Sequence, residues 1–193
     1  MPTAYAGAVL DKNGRPTAKK APEGTTYASI TLPGSNAGLT MNGTPYTLIH
    51  KIGDMATTDT LTGSYALAQD LDAAAWSAAN MGATSVVGKF NGTLTGLGHT
   101  ISNLTLNAPS TNNAGLIGQI PSNTTAVVRD IGLVDIRVSG WISVGALVGR
   151  LEGELTVSRA YVTAGDNENN PSKVTGYNRV GGLVGDVRPG VPS

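Results

Sequence analysis

The stretches "VGALVG" (Val144–Gly149) and "VGGLVG" (Val180–Gly185) repeat one glycine-rich phrase, and "AGLIGQ", which begins at Ala114, is a looser copy. Counted from the first glycine of each copy, the copies are 30 and then 36 residues apart. A repeat period of this size, with the additional residues gathered in one loop, is typical of a solenoid. The glycines that define the repeat are Gly115, Gly118, Gly145, Gly149, Gly181 and Gly185.

Each repeat holds about three short apolar runs with glycine or asparagine between them, and none of these runs is long enough to predict a helix. This pattern predicts an all-β fold, a parallel β-helix with short strands and irregular loops, in which equivalent strands stack about 4.8 Å apart. We expect "VGxLVG" to point its apolar residues inward and its glycines to turn the chain or to admit a close backbone neighbour. The additional residues of the longer repeat lie in a polar loop, Gly165–Lys173.

The repeat pattern divides the chain into two parts. Residues 1–43 are a leading segment with short strands predicted at Thr26–Leu32 and Gly38–Gly43, forming a cap or a preceding coil. Residues 44–193 are the β-helical region, which ends inside a repeat. A short helix is predicted within it at Ala73–Asn80.

The composition excludes several classes of function. The 193-residue chain has no net charge, which argues against electrostatic binding of nucleic acid. It has no cysteine, and therefore neither disulfides nor thiolate metal sites. No signal peptide and no apolar span of membrane length is present, so an export signal is expected outside this chain. The glycine phrase is not followed by Lys-Ser or Lys-Thr and lacks the GxGxxG spacing, so it does not predict a phosphate-binding loop or any cofactor.

The phrases "TPYTLIHKI", "LTGSYALAQDLDAAAW" and "GTLTGLGHTISNLTLN" precede "GLIGQI" and the two VGxLVG copies, so that the pattern runs from Asn42 to Gly185. This region resembles the GLUG-motif region of large bacterial exoproteins, the filamentous-haemagglutinin-like adhesins of two-partner secretion. The resemblance implies a right-handed β-helix that is secreted or held at the bacterial cell surface, where it serves cell adhesion and virulence. It also implies an outer-membrane transporter for the full-length parent, and host cell surface, extracellular matrix or glycan as partners.

The expected function is a stiff stalk and binding surface, not an enzyme, and the alternative is a carbohydrate-binding or polysaccharide-cleaving β-helix. An enzyme would need clustered carboxylates, and the candidates are the pairs Asp70/Asp72 and Glu152/Glu154. We expect the aspartates to cap the following helical turn and the glutamates to be solvated at a corner. His99 is expected to bond to backbone in a turn. No catalytic, cofactor-binding or metal-binding residue is predicted.

Candidate ligand contacts lie where the repeat pattern is interrupted. Loops that break the period, Asn80–Ser85 and Gly165–Lys173, are expected to hold specificity. Trp141 lies near a corner and could stack on a carbohydrate if exposed, although a tryptophan such as Trp76 more often covers a core. The predicted ligand contacts are Trp141, Asn167, Asn169 and Asn170.

Overall fold

The predicted parallel β-helix is confirmed. The computed structural model describes residues 29–35, 37–165 and 171–188, and this part of the chain is nearly all β, with stacked parallel coils that form a β-solenoid of about four turns. The predicted helix is present as α1 (Ala74–Ala79), and a 3-10 turn spans Ile52–Met55. The strands are β1 (Leu39–Met41), β2 (Thr44–Ile49), β3 (Thr57–Leu67), β4 (Leu71–Asp72), β5 (Ser85–Thr95), β6 (Thr100–Ser102), β7 (Thr105–Asn107), β8 (Gly115–Ile120), β9 (Thr125–Val134), β10 (Arg137–Ser139), β11 (Ile142–Val144), β12 (Val148–Leu151), β13 (Glu154–Thr163), β14 (Lys173–Thr175), β15 (Asn178–Val180) and β16 (Val184–Val187).

Parallel pairing places equivalent strands of successive coils side by side. One side of the solenoid is the series β5, β8, β12 and β16, and others are β5–β9–β13 and β7–β10–β14. The repeat phrase falls in the first series, where Ile117 pairs with Val148 and Val148 with Val184. Each repeat therefore contributes the same strand to the same side of the rod.

Rows of inward aliphatic side chains make the core. Val138 stacks between Leu106 and Val174, and Leu106 and Val138 are each 1% exposed. In the last coil the equivalent side chains, such as Val174 and Val184, are only half-buried. The narrow core of Val, Leu, Ile and Ala follows from a composition with few large side chains, and the single phenylalanine, Phe90, is 1% exposed.

Gly145 and Gly181 lie at turns between consecutive strands, but the repeat glycines do not adopt left-handed geometry. None of the six has a positive φ. The left-handed residue comes two positions before the first glycine of each copy, at Asn113 (φ 61°), Ser143 (φ 62°) and Arg179 (φ 54°). Left-handed geometry costs a residue with a Cβ roughly 1–2 kcal/mol, least for asparagine. The two that are not asparagine are each held by a contact with Asp186: Ser143 Oγ donates a hydrogen bond of 3.1 Å, and Arg179 forms an ion pair of 3.5 Å.

The repeat glycines also admit a close backbone neighbour. A Cβ on Gly118 would lie 2.8 Å from the carbonyl oxygen of Gly88, and one on Gly149 would lie 2.5 Å from the carbonyl carbon of Asn113. Gly115 and Gly185 are likewise enclosed by backbone atoms of a neighbouring coil, whereas a Cβ on Gly145 or Gly181 would first meet a carbonyl oxygen of its own turn, three residues further along the chain. Only a residue without a side chain fits at these points, between coils or inside the turn.

The coils differ in length but keep a common register. The offset between paired residues is 30 at Ala114 and Val144 but 31 at Ile117 and Val148, so the second copy accommodates one additional residue in its glycine phrase. Between β13 and β14 the offset to the preceding coil rises from 29 to 36. The predicted polar loop therefore takes up the additional length of the longer repeat.

The leading segment is attached to the first coils. β1 pairs antiparallel with β2. The strand predicted at Thr26–Leu32 is absent from its described part, residues 29–32, which is bound by single hydrogen bonds: Ile30 N–H donates to Leu97 O (3.1 Å) and Leu32 N–H to Ala68 O (2.8 Å).

Candidate functional site

Two aromatic rings stack on one corner of the solenoid. The ring centroids of Trp141 and Tyr177 are 4.3 Å apart, and the ring planes differ by 4°. Both are exposed, Trp141 by 43% and Tyr177 by 73%. We call this pair the aromatic corner. It is a rigid, solvent-facing apolar surface on a chain with few aromatic residues.

The coil geometry builds the aromatic corner. Trp141 N–H donates to Thr111 O (2.6 Å), and Tyr177 N–H donates to Trp141 O (2.8 Å), so the three residues are equivalent positions of successive coils. The glycine before each ring is required: a Cβ on Gly140 would lie 2.9 Å, and one on Gly176 2.7 Å, from Val144 Cγ2. These glycines let the corner fold tightly and leave the aromatic side chain outside.

Sequence reasoning found Trp141 but missed Tyr177. The signal was present, because "GWISVG" and "GYNRVG" lie in front of the second and third copies with the same 36-residue interval as the glycines. In the first copy the equivalent position is Thr111. Extending the repeat alignment in the N-terminal direction would have paired the two rings. Trp76, by contrast, is half-buried and packs against the core, as expected.

The asparagines predicted as ligand contacts, Asn167, Asn169 and Asn170, lie outside the described residues. The base of their loop is well held. Gly165 N–H donates to Asp135 Oδ1 (2.7 Å). On the other side Ser172 Oγ donates to Thr163 O (2.6 Å) and accepts from Ile136 N–H (3.0 Å). The two ends of the loop are therefore fixed to the solenoid.

Asp70 and His99 lie together, with His99 Nδ1 3.4 Å from Asp70 Oδ1. The imidazole is 3% exposed, and its Nε2 is 2.9 Å from Ile30 O, which confirms the expected bond to backbone. Asp70 Oδ1 also accepts from Thr100 N–H (2.8 Å). His99 therefore joins the leading segment to the coil through its contact with Ile30 O.

Asp72 ends β4 and accepts a 2.9 Å hydrogen bond from Ala74 N–H, the first residue of α1. This confirms the expected link to the helical turn for Asp72, and Asp70 does not take part. The backbone N–H of Ala74, followed by the side-chain amide of Asn103, lowers the pKa of Asp72. The cause is hydrogen bonding to the charged carboxylate.

The glutamate pair is not a simple solvated corner. Glu152 is half-buried and accepts from both Arg150 and Gln119, which lie on neighbouring strands. Glu154 is exposed and accepts from Thr125 Oγ1 (3.3 Å). The two carboxylates bind different partners and form no common site.

The buried carboxylate of Asp186 was not anticipated. It is 8% exposed and, besides its contacts with Ser143 and Arg179, accepts from Arg188 Nε (3.0 Å). It fastens the last coil to the preceding one. Across residues 29–35, 37–165 and 171–188, no cluster of three or more His, Asp or Glu side chains could hold a metal ion. In the same ranges no helix is long and apolar enough to cross a membrane.

Comparison with known proteins gives one informative similarity. No protein-family model matches the chain, and no solved structure matches it. The chain is similar to halomucin of Haloquadratum walsbyi (strain DSM 16790 / HBSQ001), with 34% identity over 162 residues that cover 76% of this chain. It spans 2% of the length of that curated relative. This likeness and the β-solenoid fold are consistent with a segment of a large surface protein.

Proposed function

We propose that this chain is a stiff segment of a secreted or cell-surface protein, and that it serves adhesion by presenting binding groups along the flank of a β-solenoid. The observation that carries the proposal is the aromatic corner, an exposed apolar surface held in place by backbone bonds between coils. A solenoid in which each coil contacts only its neighbours suits a rod that holds such groups at fixed spacing. The resemblance to GLUG-motif exoproteins and the similarity to halomucin support a location at a microbial surface.

In this proposal the chain binds its ligand and does not convert it chemically. Three of the four carboxylates considered for hydrolysis bind other groups of the protein. Asp70 binds Thr100, Asp72 binds the start of α1, and Glu152 binds Arg150. A pair of carboxylates acting on a glycosidic bond must instead face a shared substrate position. The partners proposed are glycan, extracellular matrix or host cell surface.

The test is an array of glycans and matrix proteins probed with the labelled chain, with reducing-sugar release measured on the same surfaces. We expect binding without sugar release, and no binding by a heat-unfolded sample of the same chain. Release of sugar that disappears in Asp70→Asn or Glu152→Gln would contradict the proposal and favour a polysaccharide-cleaving β-helix. A folded chain that binds no surface would also contradict adhesion.

A further inference from the structure

The two faces of the Trp141 indole have different surroundings. Because Tyr177 belongs to the following coil and stacks in parallel at 4.3 Å, it covers the face that points toward that coil. The other face points toward the preceding coil, where the equivalent residue is Thr111. A threonine side chain is too small to cover an indole, and Trp141 remains 43% exposed.

The corner of the preceding coil, next to Trp141, consists of small polar residues. Residues 110–112, Ser-Thr-Asn, are all exposed. The Thr111 hydroxyl donates to Ala108 O (2.9 Å), so its oxygen keeps lone pairs for a further donor. The corner therefore combines a flat apolar face with hydroxyl and amide groups at its border.

We infer that the Thr111 side of Trp141 is a sugar-binding subsite for a neutral pyranose. This inference rests on the proposed adhesive function and names its ligand class. A pyranose with equatorial hydroxyls has an apolar C–H face and a polar rim, which matches an indole bordered by Ser, Thr and Asn. Arg179, two residues after Tyr177 in sequence, is paired with Asp186 and is therefore not free to favour an anionic sugar.

Tyr177 has a positioning role in this subsite. Its ring lies against the back of the indole and holds the Trp141 side chain upright at the corner. A sugar on the opposite face would extend the stack by one layer without moving the coil. The ligands that fit best are β-1,4-linked chains of glucose or N-acetylglucosamine, because their equatorial substituents leave both ring faces apolar.

The experiment uses the two-tryptophan composition of the chain. In a Trp76→Phe variant Trp141 is the sole tryptophan, and its fluorescence is followed during titration with cellotetraose and with chitotetraose. We expect a saturable change with at least one of them. Affinity measured by isothermal titration calorimetry, which needs no fluorophore, should fall about tenfold or more in Trp141→Ala and by less in Tyr177→Ala. Tyr161→Ala, which removes an exposed tyrosine from another side of the rod, is the matched control and should bind unchanged.

Saturation-transfer NMR on the unmodified chain gives a second measurement that does not need Trp76→Phe to fold. The absence of both a fluorescence change and saturation transfer with either tetrasaccharide would overturn the inference. Array binding that persists at full strength in Trp141→Ala would also overturn it while leaving adhesion intact. A silent array together with no tetrasaccharide binding would reject both the subsite and the proposed function.

Discussion

The substitution Gly149→Ala adds one methyl group and should force two neighbouring coils apart. A Cβ there would lie 2.5 Å from Asn113 C and 2.8 Å from Ala114 N, whereas ordinary Cβ contacts are 3.4–4 Å. Both obstructing atoms are backbone atoms of the preceding coil, which is bonded to this one, for example from Leu116 N–H to Ala146 O (3.1 Å). Relief therefore needs a backbone shift of nearly 1 Å against these hydrogen bonds. Overpacking of this kind costs roughly 1–3 kcal/mol, and we expect Gly149→Ala to lie at the upper end.

The same motif supplies the control. A Cβ on Gly182 would meet no atom within 4 Å, and the paired position in the preceding copy is already alanine, Ala146. Gly182→Ala converts "VGGLVG" into "VGALVG" and should change the free energy of unfolding by no more than about 0.5 kcal/mol. Thermal unfolding followed by circular dichroism should show Gly149→Ala melting about 4–12 °C lower than the parent chain. Equal melting temperatures for the two variants would refute the close approach of the coils.

Three further perturbations test contacts between coils. Because hydrogen bonds from the start of α1 and from Asn103 lower the pKa of Asp72, the stability this group contributes should be lost as the pH falls below about 4, and Asp72→Asn should flatten that part of a urea-denaturation profile. An unchanged profile would contradict this assignment. Ser77→Ala removes the acceptor of the 2.9 Å bond from Thr105 N–H and should lower the free energy of unfolding by about 1–2 kcal/mol, measured by urea denaturation; no loss would mean that water replaces the hydroxyl. Asp186→Asn should speed amide hydrogen exchange in β16 but not in β8, and equal effects in both strands would show that Asp186 does not act locally.

The fold could be predicted because the repeat is periodic in sequence and in space. A glycine phrase that recurs with aliphatic residues between its glycines specifies stacked strands, and the polar loop between β13 and β14 follows from the unequal intervals. The left-handed corners could be predicted only in part. The asparagine side chain of Asn113 favours this geometry, whereas the side chains of Ser143 and Arg179 do not. These two residues are held in it by contacts with Asp186, which is 43 and 7 residues away in sequence.

Only part of the candidate site could be predicted, because it too depends on residues that are far apart in sequence. The exposure of Trp141 depends on the size of its neighbours in the adjoining coils, a small threonine on one side and an aromatic ring on the other. Neither neighbour is close in sequence, so local composition gives no signal for the stack. Only an alignment of whole repeats brings Thr111, Trp141 and Tyr177 to one position.

The coils have unequal numbers of residues but a common register, so the length of the rod does not depend on how many residues each coil contains. Each coil advances the axis by about 4.8 Å, whether it contains 30 residues or 36. The additional residues of the longer coil lie between Gly165 and Ser172, both of which are bonded to the preceding coil, so the register on either side of them is kept. Side chains at equivalent positions of such a rod are therefore separated along the axis by whole multiples of the coil spacing. A longer loop can be inserted in one coil while the axial distances between the other coils stay the same.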